Sequence, residues 1–213
     1  MPIIVSDPSR VNVPPGWTAC EAELAKYTSP AALGFVGSPG DLNRFRSRYR
    51  LAKSFSAIML ESYGPETTAG YSALFRVFLT WSAFEQLLEI CGLNLAGMGD
   101  SLGPYDPAAA EAEIRAIDGH SNFLQFVLER LDHTEHRAQV NSFLSGNPCN
   151  LLYLPAGIRH VFAHGKLTPH SGTDTAEPAK LVSDVLCGFL FRVMDGEFMR
   201  RLRDHGLNSR GHR

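Results

Sequence analysis

One stretch of the chain decides the fold: residues 68–91 read TAGYSALFRVFLTWSAFEQLLEIC. It contains no proline, and its apolar side chains occupy almost every angle of a helical wheel. Gly92, directly after it, is a typical helix stop. Because a helix that is apolar nearly all round must be enclosed by other helices, we predict that residues 68–91 form the central helix of a bundle.

The segments on both sides of this stretch also have helical periodicity. Before it, apolar residues recur at spacings of three and four after Asp41, a good N-cap, and predict a helix that ends near Gly64. These apolar residues are Leu42, Phe45, Tyr49, Ala52, Phe55 and Met59. After it, we predict helices over 107–117, 121–131, 134–144, 155–164 and 177–205. No segment shows sustained strand-like alternation, so the expected fold class is all-α, an up-and-down helical bundle over residues 41–213.

Residues 1–40 differ in composition from the rest of the chain. They include six prolines and four glycines, which exclude long regular elements. We predict an irregular N-terminal arm with a short helix near Glu21–Tyr27. Trp17 and Phe35 are the large apolar side chains expected to hold this arm against the bundle.

Composition limits the class of protein. With 213 residues and a hydrophobic fraction of 44%, the chain can bury a sizeable core and is not disordered. The formal net charge of −2 means that phosphate binding would need a local basic patch. Four cysteines without a CxxC pair predict reduced thiols. Since MPIIVSDPSR has no signal-peptide pattern and no apolar run approaches about 20 residues, we expect a cytoplasmic protein without a membrane partner.

The most specific chemical signal lies at residues 158–166, IRHVFAHGK. This segment places Arg159, His160 and His164 on one short predicted helix, which Gly165 ends. Here the chain resembles the HEPN family (higher eukaryotes and prokaryotes nucleotide-binding). The signature of that family is an Arg followed after four to six residues by a His. Asn, Asp or His often follows the Arg, and Ala and Gly often flank the His.

The resemblance implies a HEPN-like helical bundle that works as a homodimer, with two copies of the motif in one cleft. It implies a metal-independent endoribonuclease that needs no cofactor and leaves 2′,3′-cyclic phosphate ends, consistent with a defence or toxin-like role. His164 would transfer protons, Arg159 would bind phosphate oxygens, and His160 would be an orienting or second proton-transfer group. Other members have lost catalysis. The alternative is therefore a non-catalytic helical module that binds a protein or a nucleotide.

The spacing within the motif sets a geometric condition. Residues five apart on a straight helix point about 140° apart, so Arg159 and His164 do not share a face, whereas His160 and His164 do. Arg159 and His164 can meet one substrate only if the helix ends before His164 or if a second subunit contributes. A purely structural interpretation also stays open, because His and Gly are favoured at helix C-termini.

Glu85 is a candidate supporting residue on the predicted central helix. On a helical wheel it falls between Leu74 and Phe78, where a carboxylate must be paired or neutral. Acidic residues on an early helix often support the motif Arg in the family, so the resemblance implies that Glu85 orients Arg159. The alternative is a partly exposed carboxylate at the end of the bundle.

Basic residues outside the motif are candidates for RNA binding. Arg44 and Arg48 share one face of the first long predicted helix, and Lys166 follows the motif. All three are RNA-binding candidates, although a helix face with this pattern is more often simply solvated.

Two further patterns compete with this motif. His160 and His164 could bind zinc with His170 as a third ligand, but there is no HExxH motif and no nearby Cys or carboxylate, so no metal is expected. The spacings Arg130–His136 and Arg200–His205 also fit the bare motif. Both lack its flanking Ala-His-Gly.

Overall fold

A computed structural model describes residues 11–26 and 29–205, and these residues form a helical bundle without a β-strand among them. The prediction of an all-α fold is therefore confirmed. The α-helices of this part of the chain are α1 Trp17–Leu24, α2 Pro39–Ser54, α3 Pro65–Cys91, α4 Leu95–Gly99, α5 Pro107–Arg115, α6 His120–Arg130, α7 Thr134–Leu144, α8 Tyr153–Ala163 and α9 Glu177–Asp204.

The two longest helices, α3 and α9, pack along each other at the centre of the bundle. Helices α2 and α8 also pack against α3, α5 and α6 pack against α9, and α7 packs against α8. Leu74 and Phe84 on α3 and Phe189 on α9 are completely buried. The central position predicted for the 68–91 stretch is confirmed, and Gly92 ends α3 with a φ of 64°.

Helix α2 differs from its prediction at both ends. It begins at Pro39 because Ser38 and Asp41 form a reciprocal capping box, so Asp41 lies inside the helix instead of capping it. It ends at Ser54, ten residues before the predicted end at Gly64. Side chains of α3 bind the backbone beyond it: Arg76 donates to the Ser56 carbonyl, and the Ile58 amide donates to Ser72. These tertiary hydrogen bonds replace the helical ones that the prediction assumed. Met59, which was predicted to face the core, is 98% exposed.

The N-terminal segment is held to α9 by aromatic contacts. Trp17 and Phe35 are buried, as predicted, and their ring centroids lie 5.8 Å and 5.2 Å from that of Phe198. The short helix begins at Trp17, four residues before the predicted start at Glu21. Residues 1–10 and Tyr27, which the arm and its predicted helix include, lie outside the described residues.

Other features of the chain follow its composition. Cys20, Cys91 and Cys187 are buried thiols, and burial raises the pKa of each to about 12. The short helix α4 is capped by Asn94, whose side chain accepts from the Gly97 amide. Among the described helices, none combines the length and the apolar character that a membrane crossing requires.

Candidate functional site

The motif lies at the C-terminal end of α8, whose other side is buried against α3 and α7. The helix ends at Ala163 in a Schellman motif: the Gly165 amide donates to Phe162 and the Lys166 amide donates to Val161. Gly165 has a φ of +69°. His164 is therefore the first residue after the helix, and the first geometric condition, a helix that stops before His164, is met.

Arg159 is paired with Glu85 across the contact between α8 and α3. Its Nη2 lies 3.5 Å from Glu85 Oε2, and the two side chains are 35% and 43% exposed. Glu85 therefore does not lie enclosed among apolar side chains, as the helical wheel predicted, because this face of α3 is open to solvent. The ion pair itself is present, while its role in orienting Arg159 stays a prediction.

His160 and His164 form the second part of the site. Their ring centroids are 4.6 Å apart, with 59° between the ring planes. His160 is half-buried and His164 is exposed. The pKa of His160 is lowered by burial and by the positive charges of His164, Arg159 and Lys166, against which the carboxylate of Asp132 acts.

Lys166 connects the end of α8 with the start of α7. Its Nζ lies 3.1 Å from the Asp132 carboxylate, and this hydrogen bond lowers the pKa of Asp132. Both side chains are well exposed, so the pair is open to competition from a ligand phosphate. The structure thus places Lys166 on the same end of α8 as the motif histidines.

Two histidines that sequence reasoning did not select also reach this site. The ring of His136 lies 6.3 Å from that of His160, and His133 lies 4.3 Å from His136. The only signal in the sequence was the rejected Arg130–His136 spacing. His133 and His136 join the motif through the packing of α7 on α8, which no local pattern reveals.

Arg44 and Arg48 lie on α2, further from the motif. Arg48 donates to the Ser82 carbonyl over 3.5 Å, and Ser82 is three residues from Glu85, on the same face of α3. Arg44 lies one turn further along α2 and is ion-paired with Asp41. Arg48 therefore borders the face of α3 that carries Glu85, whereas the ion pair of Arg44 lies within α2.

The residues of the competing patterns make different contacts in the structure. His170 bonds to Thr67, 3.0 Å away, and the described part of the chain holds no group of three or more metal-ligating side chains. The structure therefore does not bring His170 together with His160 and His164 as a third ligand. Arg130 lies over the ring of Phe126, and Arg200 binds the buried Glu197.

Among the described residues, four clefts have linings that include neither Arg159 nor His164. These clefts have volumes of about 500, 590, 390 and 290 Å³. The 500 Å³ cleft lies between α3 and α9, near Arg76 and Lys180. The motif is instead an exposed surface at the end of α8.

Comparison of the chain with protein-family models, curated proteins and solved structures found no match. The function of this site is therefore inferred from its residues and their geometry.

Proposed function

We propose that the protein is a metal-independent endoribonuclease of the HEPN type. One observation carries the proposal: the Arg159 guanidinium, paired with Glu85, shares the exposed end of α8 with the His160–His164 ring pair. A fixed cation beside two imidazoles is the set of groups that RNA cleavage without a metal needs.

The reaction assigned to these groups is an internal transesterification. One imidazole removes the proton of the ribose 2′-hydroxyl, and the 2′-oxygen forms a bond to phosphorus while the bond to the 5′-oxygen breaks. The other imidazole, protonated, gives its proton to that 5′-oxygen. Arg159 binds the phosphate oxygens on which negative charge increases. The products are a 2′,3′-cyclic phosphate and a 5′-hydroxyl.

The proposed active form is a homodimer. In one chain the motif is open to solvent, where charge interactions are weak. A second copy that packs its own α8 end against the first would supply a wall and exclude water. Since Arg159 and Lys166 each have a carboxylate partner, Glu85 and Asp132, two such surfaces can approach without a large repulsion.

A non-catalytic binding module is the second candidate, and the Schellman motif favours it. That motif accounts for the His164-Gly165 pair as a helix end without any catalytic role. The same surface would then bind a protein or a nucleotide through Arg159 and Lys166. This candidate predicts RNA or partner binding without cleavage.

Cleavage of end-labelled RNA in EDTA tests the proposal. The wild type should produce cyclic-phosphate ends, and both His164→Ala and Arg159→Ala should lower the rate at least about a hundredfold. The matched control for His164→Ala is His205→Ala, because His205 follows α9 as His164 follows α8. The matched control for Arg159→Ala is Arg192→Ala, on the exposed side of α9. Both controls should cut at the wild-type rate.

The oligomeric state is measured on the same samples by sedimentation. A folded wild type that is inert as a dimer, or motif variants as active as the controls, would overturn the ribonuclease assignment. Binding of uncleaved RNA by an inert wild type would favour the non-catalytic module.

A further inference from the structure

Four of the eight histidines of the chain form one continuous row at the meeting point of α7 and α8. Neighbouring ring centroids are 4.3 Å apart for His133 and His136, 6.3 Å for His136 and His160, and 4.6 Å for His160 and His164. The proposed function uses only the two residues on α8. The row raises the question of how His133 and His136 act on His160 and His164.

His136 is the member of the row that fixes its neighbour. Its ring meets His160 at 89° and Tyr153 at 71°, with centroid distances of 6.3 Å and 5.4 Å. Tyr153 and His160 are two helical turns apart on one face of α8. The ring of His136 therefore fills the space between them, and His160 is held between His136 on one side and His164 on the other.

We propose that His136 is a positioning residue that fixes His160 as the proton acceptor of this site, with His164 as the proton donor. This inference rests on the proposed ribonuclease function and divides its two proton transfers between particular residues. A nitrogen of His160 takes the 2′-hydroxyl proton as the bond from the 2′-oxygen to phosphorus forms. The imidazolium of His164 gives its proton to the 5′-oxygen as that oxygen leaves.

Burial and charge around the two inner rings agree with this division. Burial lowers the pKa of His136 to about 4, helped by His133, His160 and Arg159 and opposed by Glu135. The Nδ1 atom of His136 is buried without a hydrogen-bond partner among the described residues, which also disfavours its proton.

The pKa of His160 is also lowered, but less than that of His136. Burial, His164, Arg159 and Lys166 lower the pKa of His160, and only the carboxylate of Asp132 acts in the opposite direction. An imidazole that is neutral at neutral pH is the form that accepts a proton. Both ends of the row, His133 and His164, are exposed, and a leaving group at the motif can reach His164.

The test follows the titration of each imidazole by carbon-13 NMR and the pH dependence of RNA cleavage. In His136→Ala, water enters beside His160 and relieves the burial that lowers its pKa, so this pKa should rise and the acid limb of the rate profile should move to higher pH by the same amount. His136→Phe keeps a ring in this space and should retain the wild-type pKa of His160. His133→Ala removes only the far end of the row and should also leave that pKa unchanged.

The inference is overturned if folded His136→Ala shows the wild-type pKa of His160 and an unmoved acid limb. It is also overturned if His136→Phe behaves like His136→Ala, because ring packing is then not the cause. A wild type that cleaves no RNA overturns the proposed function and the acceptor role together. The NMR titration needs no RNA, so it still decides whether His136 controls His160.

Discussion

The Glu85 carboxylate lies 3.5 Å from the Arg159 guanidinium, across the contact between α3 and α8. Both side chains are more than a third exposed, so water screens their attraction, and such pairs contribute about 0–1 kcal/mol to stability. The pair limits the directions that the guanidinium can take. Its effect should therefore be larger on cleavage than on folding.

Glu85→Gln should lower kcat for RNA cleavage about tenfold, since a misdirected Arg159 stabilises the transition state less. The free energy of unfolding, measured with urea, should change by less than about 1 kcal/mol. Glu89→Gln, an exposed carboxylate one turn further along α3, is the matched control and should cleave normally. Equal rates for Glu85→Gln and the wild type would remove Glu85 from the site.

Much of the fold was predictable because its signals are local. The apolar stretch that became α3, Gly92 after it, and Gly165 after the motif all act within one or two helical turns. The end of α2 was not predictable, since Arg76 and Ser72 of another helix bind the backbone beyond Ser54. The apolar spacing continued to Met59, but tertiary hydrogen bonds decided the conformation.

The candidate site also consists of residues that the local sequence predicts and residues that only the packing of helices brings together. Arg159, His160 and His164 are five residues or fewer apart in sequence, and the pairing of Glu85 with Arg159 was expected from the resemblance to the HEPN family. His133 and His136 were missed because their approach to His160 depends on how α7 packs on α8. Glu85 is partly exposed, as its alternative interpretation had it, and a helical wheel does not show where neighbouring helices end.

Lys166→Ala should weaken RNA binding in a salt-dependent way. Its partner Asp132 is 77% exposed, so an RNA phosphate can compete for the ammonium group. Binding is measured in the His164→Ala background to prevent cleavage. The plot of log K against log salt concentration should become less steep by about 0.7, the value for one contact with single-stranded RNA. Lys180→Ala on α9 should leave the slope unchanged. An unaltered slope in Lys166→Ala would place the RNA elsewhere.

The stability of the protein should depend on pH through His136. Its pKa in the folded state is about 4, below the ordinary value of about 6.5 in the unfolded chain. The unfolded state therefore takes up the proton first, and stability falls as the pH decreases from 6.5 to 4, by about 2 kcal/mol. His136→Phe cannot take up this proton and should lose less stability between pH 7 and 4.5 in urea unfolding. An identical loss in both proteins would contradict the assignment.

Glu197→Gln should destabilise the fold by about 3 kcal/mol at pH 7, because the buried carboxylate that binds Arg200 and Arg201 loses its charge. Glu197 is 1% exposed and accepts hydrogen bonds from Arg200 and Arg201. Burial acts to raise its pKa, but these bonds outweigh burial and lower it. Because its pKa is lower in the folded state, ionised Glu197 stabilises the fold at pH values above about 4.3, the ordinary pKa of a glutamate. This stabilisation is lost as the pH falls through the pKa of the folded state. Thermal unfolding should therefore show a smaller difference between the two proteins at pH 3 than at pH 7.

Gly165→Ala should distinguish an effect on the position of His164 from an effect on the stability of the end of α8. Gly165 has a φ of +69° with open space around it, so alanine meets no neighbour but strains the backbone by about 1 kcal/mol. Gly146→Ala, with a φ of +73° and equally open surroundings after α7, carries the same cost away from the motif. Both variants should lose similar stability in urea unfolding, and only Gly165→Ala should slow RNA cleavage, because only there does the strain move His164. Equal cleavage by the two variants would show that the position of His164 at the end of α8 does not matter to the reaction.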